Sequence, residues 1–273
     1  MESSSSCNTM MMSLDRAARL NNRGVELLGA GDLNNAREFF RQALASLTVS
    51  ARALAHLPAD SAKSTHRMNS CKMQVSMDSV PWLTSTKDIS TSDANLNFDS
   101  TIYNRAIPVP IVDHSSSSGL YGESEDTFNQ TLSSSCCIFN LALIYHLRAM
   151  QIMSSPSSNK QSGNQRQHLL KAKSLYAKCS SLVFSMGLGC YVGRHPVADL
   201  LSMAVLNNHA HVCHELASYD AAHDCIDCLV QIMSRVSPCT YRNQDAQFVI
   251  HQAKQNFHLN AMILVPPAVA HAA

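Results

Sequence analysis

The stretch HVCHELASYDAAHDCIDC holds the residues with the most obvious chemistry. His211 and His214 form an HxxH pair, and Cys225 and Cys228 form a CxxC pair shortly after it. Imidazole and thiolate are the ligands of closed tetrahedral zinc sites, and CxxC alone is also a dithiol redox motif. Either chemistry requires the side chains to converge. On a pair of packed helices they diverge: His211 and His214 lean to one side of the first helix. Cys225 and Cys228 flank Ile226 on the second and are expected to point to solvent or to a following element. Small packed or surface thiols are the expectation, with a metal-binding or redox protein built on Cys225 and Cys228 as the alternative. GLGCYVG, Gly187 to Gly193, resembles a phosphate loop only superficially. It follows a helix rather than a strand and does not open a helix, so a helix-ending turn is expected. No Walker loop, GxSxG elbow, HExxH pair or calcium loop occurs, and no acid, base and nucleophile assemble. The expectation is a protein that is not an enzyme, with no cofactor and no metal.

The chain has 273 residues, a net charge of +1, 45% hydrophobic and 15% charged residues. A balanced charge gives no global pull toward nucleic acid or an anionic membrane. No apolar run is read as approaching the ~20 residues of a spanning helix, so no membrane partner is expected. MESSSSCNTMMMSLDR lacks the apolar core of a secretory signal, and the ten cysteines are scattered. Reduced thiols in an intracellular, cytoplasmic protein are the expectation.

The elements that must position any site are helices. Residues 1–13 are expected to be a disordered tail. In 14–50, Ala17, Leu20, Leu27 and Leu28 recur at helical spacing, GAGD interrupts, and Leu33, Ala36, Phe40, Ala43 and Leu44 resume the pattern. Residues 51–132 are polar and aperiodic and read as a low-complexity linker. One piece of it, TIYNRAIPVPIVD, must be extended, because Pro108 and Pro110 forbid helix between apolar Ile107, Val109 and Ile111. A second helix pair is expected over 133–188, broken by a flexible insertion near 154–166 in which Ser155-Pro156 is a candidate phosphorylation target. A turn and third pair follow over 189–235. A capping helix over 236–263 places Phe248, Val249, Ala253, Phe257 and Ala261 on one face, and 264–273 is expected to fray.

The three pairs share a register. Gly24, Ala142 and Ala210 are small residues of each first helix. Four positions earlier stand Leu20, Ile138 and Leu206, and three later stand Leu27, Tyr145 and Cys213. Each second helix has its own small residue, Ala36, Ala172 or Ala222, followed four positions on by Phe40, Tyr176 or Ile226. Twelve positions separate the small residues in the first and third pairs and thirty in the second, the excess falling on the serine-rich insertion. Packed helices approach closely only where side chains are small, and large neighbours fill the flanks. The pattern resembles the tetratricopeptide repeat, TPR, best in RLNNRGVELLGAGDLNNAREFFRQALASL. It lacks the family's early tryptophan and closing proline. The resemblance implies an all-α fold: a short solenoid of three TPR-like hairpins and a C-terminal helix, with a long irregular insertion. It also implies a non-catalytic scaffold or adaptor whose concave groove holds a peptide of a partner protein.

One residue recurs that packing does not demand. Asn22, Asn140 and Asn208 each stand two positions before the small residue, about 200° around the helix from it. In TPR proteins that face lines the groove, and an amide there can hydrogen-bond the main chain of an extended peptide. Asn22, Asn140 and Asn208 are therefore expected to form a ladder, with Asn21, Asn207, His146, His211 and His214 nearby. Residues 51–132 are themselves a candidate occupant.

Overall fold

The computed structural model describes residues 3–55, 102–110, 123–154, 161–185 and 195–264. Of the described residues, 87% are helical and none forms a strand. The helices are α1 (Ser3–Gly29), α2 (Leu33–Ala55), α3 (Glu123–Ser154), α4 (Gln161–Ser185), α5 (Pro196–Glu215), α6 (Tyr219–Arg235) and α7 (Gln244–Leu264). A 3-10 turn, Pro238–Thr240, precedes α7.

Consecutive helices pair: α1 packs on α2, α3 on α4 and α5 on α6. The pairs join through α2 on α3 and α4 on α5, and α7 closes against α5 and α6. The first helices also meet one another, α1 with α3 and α3 with α5. The two central helices therefore have neighbours on several sides. Between Thr131 and Met150 only Ser134, Ile138, Tyr145 and Arg148 of α3 escape full burial, and α5 is buried without a break from Pro196 to Asn208. A helix covered all round is apolar all round. Thr127–Ser154 is accordingly long and apolar enough to cross a membrane by length and composition, with a mean hydropathy of 1.3 over its most apolar 18-residue window, 67% of which is buried inside the fold. That corrects the reading that no apolar run approaches spanning length.

The small residues sit at the seams. Gly24 is buried, and a Cβ there would lie 2.5 Å from Phe40 Cε1. Ala142, Ala172, Ala210 and Ala222 are buried, as are Phe40, Tyr176 and Ile226 beside them. The turns of the first and third pairs are also alike. In the first, Gly31 N–H donates to Leu28 O and Asp32 N–H to Leu27 O, with Gly31 at φ +80°. In the third, Ala217 N–H donates to His214 O and Ser218 N–H to Cys213 O, with Ala217 at φ +56°. Both are Schellman caps, in which one left-handed residue lets two N–H groups close on the last helical carbonyls. Each left-handed residue lies seven positions after its pair's small residue. Asp32 then caps α2, its Oδ1 accepting from Asn35 N–H at 3.1 Å.

Several boundaries differ from the sequence reading. Helix α1 begins at Ser3, not near 14, since neither proline nor glycine interrupts the chain before Gly24. Helix α2 runs on to Ala55. Helix α3 begins at Glu123, inside the stretch read as linker, and α4 begins at Gln161, inside the expected insertion. Serine and asparagine have only weak helix preference, so these starts do not stand out in the sequence. Phe248 is exposed, whereas Ala246, Val249, Ile250, Ala253 and Phe257 form the buried stripe of α7. It lies about 100° from Val249 around the helix. The remainder of the 51–132 stretch, Gly187 to Gly193, Ser155-Pro156 and the end beyond Leu264 lie outside the described residues.

Candidate peptide-binding site

Ile102–Pro110 lies across α5, α3 and α1, and three asparagine side chains each hold its main chain by a pair of bonds. Asn208 Oδ1 accepts from Tyr103 N–H at 2.9 Å, and Asn208 Nδ2 donates to Tyr103 O at 3.0 Å. Asn140 makes the same pair with Ile107, at 2.8 Å for both bonds. Asn22 makes it with Val109, at 2.9 and 3.0 Å. Each amide thus meets the donor and the acceptor of a single residue, as a neighbouring strand would. The segment runs from α5 back to α1, against the order of the helices.

A further layer holds the amides in place. Asn21 Nδ2 donates to Ile107 O at 3.2 Å, and Asn140 Nδ2 donates to Asn21 Oδ1 at 2.9 Å. Asn207 Nδ2 donates to Asn208 Oδ1 at 3.1 Å, and Asn260 of α7 donates to Asn207 Oδ1 at 2.9 Å. Asn21, Asn140, Asn207 and Asn208 have no exposed surface, because the segment and the helices cover them, and Asn22 is half-buried. Paired in this way, the buried amides avoid the penalty of an unmatched polar group. Asn208 Nδ2 also donates to Tyr176 Oη at 3.2 Å. Tyr176 Oη lies 3.4 Å from His146 Nδ1, and His146 Nε2 lies 3.1 Å from His211 Nδ1. A neutral His146 donates through one ring nitrogen and accepts through the other, so it can join Tyr176 Oη and His211 Nδ1 in one chain. Burial, with His211 alongside, holds His146 well below the usual histidine range, so it is neutral.

Comparison with models of protein families, with curated proteins and with solved structures returns no match. The geometry alone therefore carries the reading of the site. His146 and His211 stand behind the asparagine row rather than on it, and His214 stacks edge-on to Tyr219 at the α5–α6 turn, centroids 5.4 Å apart. Asn260 and Tyr176 are site residues that the sequence did not single out. Asn260 lies outside the three-pair register, and Tyr176 occupies a packing position whose hydroxyl is useful only in the folded chain.

The zinc-like residues are dispersed. Cys228 is exposed, and Cys225 is buried with its Sγ 3.6 Å from His209 Nδ1. This corrects the expectation that Cys225 points to solvent or to a following element: it faces His209 of α5, and Ala222, Cys225, Ile226 and Leu229 form one buried stripe on α6. Burial, with Cys213, Cys228 and Asp224 nearby, pushes the Cys225 thiol up to about 12. A redox CxxC needs the opposite shift, toward thiolate. Among the described residues no three His, Cys, Asp or Glu side chains group as metal ligands.

Proposed function

We propose that this chain is a non-catalytic scaffold or adaptor of the TPR kind, acting inside the cell, which holds an extended peptide of a partner protein in a groove lined by Asn22, Asn140 and Asn208. The observation that carries the reading is the set of paired hydrogen bonds to Tyr103, Ile107 and Val109. Main-chain recognition of this sort is independent of the ligand's side chains, so another extended segment fits the same amides. The Schellman turns of the first and third pairs, and their small-residue seams twelve positions apart, support the repeat assignment. Ile102–Pro110 is then a resident ligand, tied to α2 and α3 by the chain itself. A tethered ligand competes at an effective concentration on the order of 1 mM, so a partner must displace it.

Capture from cell extract tests the reading. A full chain carrying Ile107→Asp and Val109→Asp loses the buried apolar anchors of its resident segment. It should retain partners that the wild type holds weakly, and adding Asn22→Ala, Asn140→Ala and Asn208→Ala should abolish that retention. Equal retention by both variants would overturn the groove.

A further inference from the structure

The resident segment carries information that the asparagines do not read. Ile107 and Val109, held by Asn140 and Asn22, are each followed by proline. Proline disfavours helical backbone in the residue before it and pushes that residue to the extended region. Pro108 and Pro110 therefore pre-set both held residues in the conformation that presents N–H and C=O to one side. The prolines occupy the alternate positions, whose main-chain groups face away from the amides, so their missing N–H groups cost no rung. Side chains add a second filter. Ile102, Ile107 and Val109 are buried. The Tyr103 ring lies 5.6 Å from that of Phe257 and 6.3 Å from that of Phe139. Asn104 and Arg105 are exposed and unread.

Building on the groove reading above, we propose that the partner's segment is a proline-alternating apolar strand. Its pattern is an apolar residue, an aromatic residue, two free positions, a small residue in the place of Ala106, which packs against the core, then Ile or Val, Pro, Ile or Val, Pro. The occupant is an otherwise unstructured segment of another protein, which enters at α5, leaves at α1 and displaces Ile102–Pro110. Prolines lower its ordering cost, β-branched residues fill the sites of Ile107 and Val109, and the aromatic ring takes the place of Tyr103 between Phe139 and Phe257.

Fluorescence anisotropy with labelled IYNRAIPVP tests this on the full chain carrying Ile107→Asp and Val109→Asp. The peptide should bind this chain at least tenfold more tightly than it binds wild type, where the resident segment competes. A peptide with both prolines replaced by alanine should bind about tenfold more weakly, as should one with the tyrosine replaced by alanine. Replacing the peptide's asparagine by alanine should change nothing. Equal binding of the proline-free peptide overturns the specificity inference and leaves the groove standing. Absence of all peptide binding by a chain that keeps its helical circular dichroism overturns both. A concentration-dependent dimer of the wild type, abolished by the same aspartates, makes a second copy the occupant and overturns the proposed partner. Should the aspartate chain lose its helicity, Pro108→Ala with Pro110→Ala in the intact chain decides. Amide exchange at Ile107 and Val109 should then rise about tenfold, and unchanged exchange overturns the proposal.

Discussion

An asparagine side chain is a peptide unit on a short stem, and at Asn140 the likeness is used in full. Its oxygen accepts from Ile107 N–H, and its nitrogen donates to Ile107 O and to Asn21 Oδ1. Asn140→Ala takes the partner from Ile107 N–H and Asn21 Oδ1, while Ile107 O keeps Asn21 Nδ2 at 3.2 Å. Each orphaned group costs about 1–3 kcal/mol, and partial relaxation makes a total loss of about 3 kcal/mol the expected outcome in urea unfolding. Asn140→Asp should be worse than alanine despite its similar shape. It turns the donor into an acceptor facing Ile107 O and Asn21 Oδ1, and it buries a charge. An aspartate variant as stable as wild type would mean that the paired bonds do not hold the segment. At this scale the sequence was informative about direction only. The offset of two from each small residue placed Asn22, Asn140 and Asn208 on a face away from the hairpin seam. The partners on that face came from distant chain: Asn260, Tyr176 and Ile107 meet them only through folding. The inward face of Cys225 is legible locally, since Ala222, Cys225, Ile226 and Leu229 already spell a helical stripe.

At the scale of elements, the two matching turns make a comparison within one molecule. Gly31 occupies the left-handed position after α1, and Ala217 occupies the same position after α5. Alanine's Cβ makes that conformation cost about 1 kcal/mol or more, whereas glycine adopts it freely and loses some of the gain to unfolded-chain entropy. Ala217→Gly should therefore stabilise the protein by about 0.5–1 kcal/mol, raising Tm by about 1–4 °C in thermal unfolding. The converse change, Gly31→Ala, should lower it by a similar amount. A fall in Tm for Ala217→Gly would mean that the Schellman geometry does not limit that turn. The asymmetry also explains what was legible. GAGD announces a stop, whereas ELASYD carries no glycine, and only the change of helical face marks that turn. The early start of α3 at Glu123 was hidden by the polar composition of ESEDTFNQ, although Phe128 and Leu132, one turn apart, are both buried.

Across the whole molecule, neutral histidines in the interior couple folding to acid. His195 is buried at the start of α5, where its Nδ1 accepts from Ala198 N–H at 3.3 Å and its ring meets Phe128 edge-on. Burial lowers it to about 4, and burial with Lys173 nearby lowers His209 to about 4. An unfolded histidine titrates near 6.5, so below that pH the unfolded chain takes up protons that the folded chain refuses. Their contribution is complete above pH 6.5 and is lost progressively as pH falls toward 4. At pH 5 the loss from His195 alone is about 2 kcal/mol, and His209 and His146 add in the same direction. Urea unfolding at pH 7.5 and pH 5.0 should show a clear fall in midpoint. His195→Asn retains an acceptor for the helix cap but removes the titration, so its pH slope should be shallower by nearly one proton. A stability unchanged over this range would show that these histidines are not held neutral by the fold. Because Asn208 is linked through Tyr176 to the neutral His146, the same acidification should loosen the α5 end of the resident segment. Exchange at the Tyr103 amide should accordingly rise at pH 5, beyond the intrinsic dependence of exchange on pH, before exchange at Val109 does.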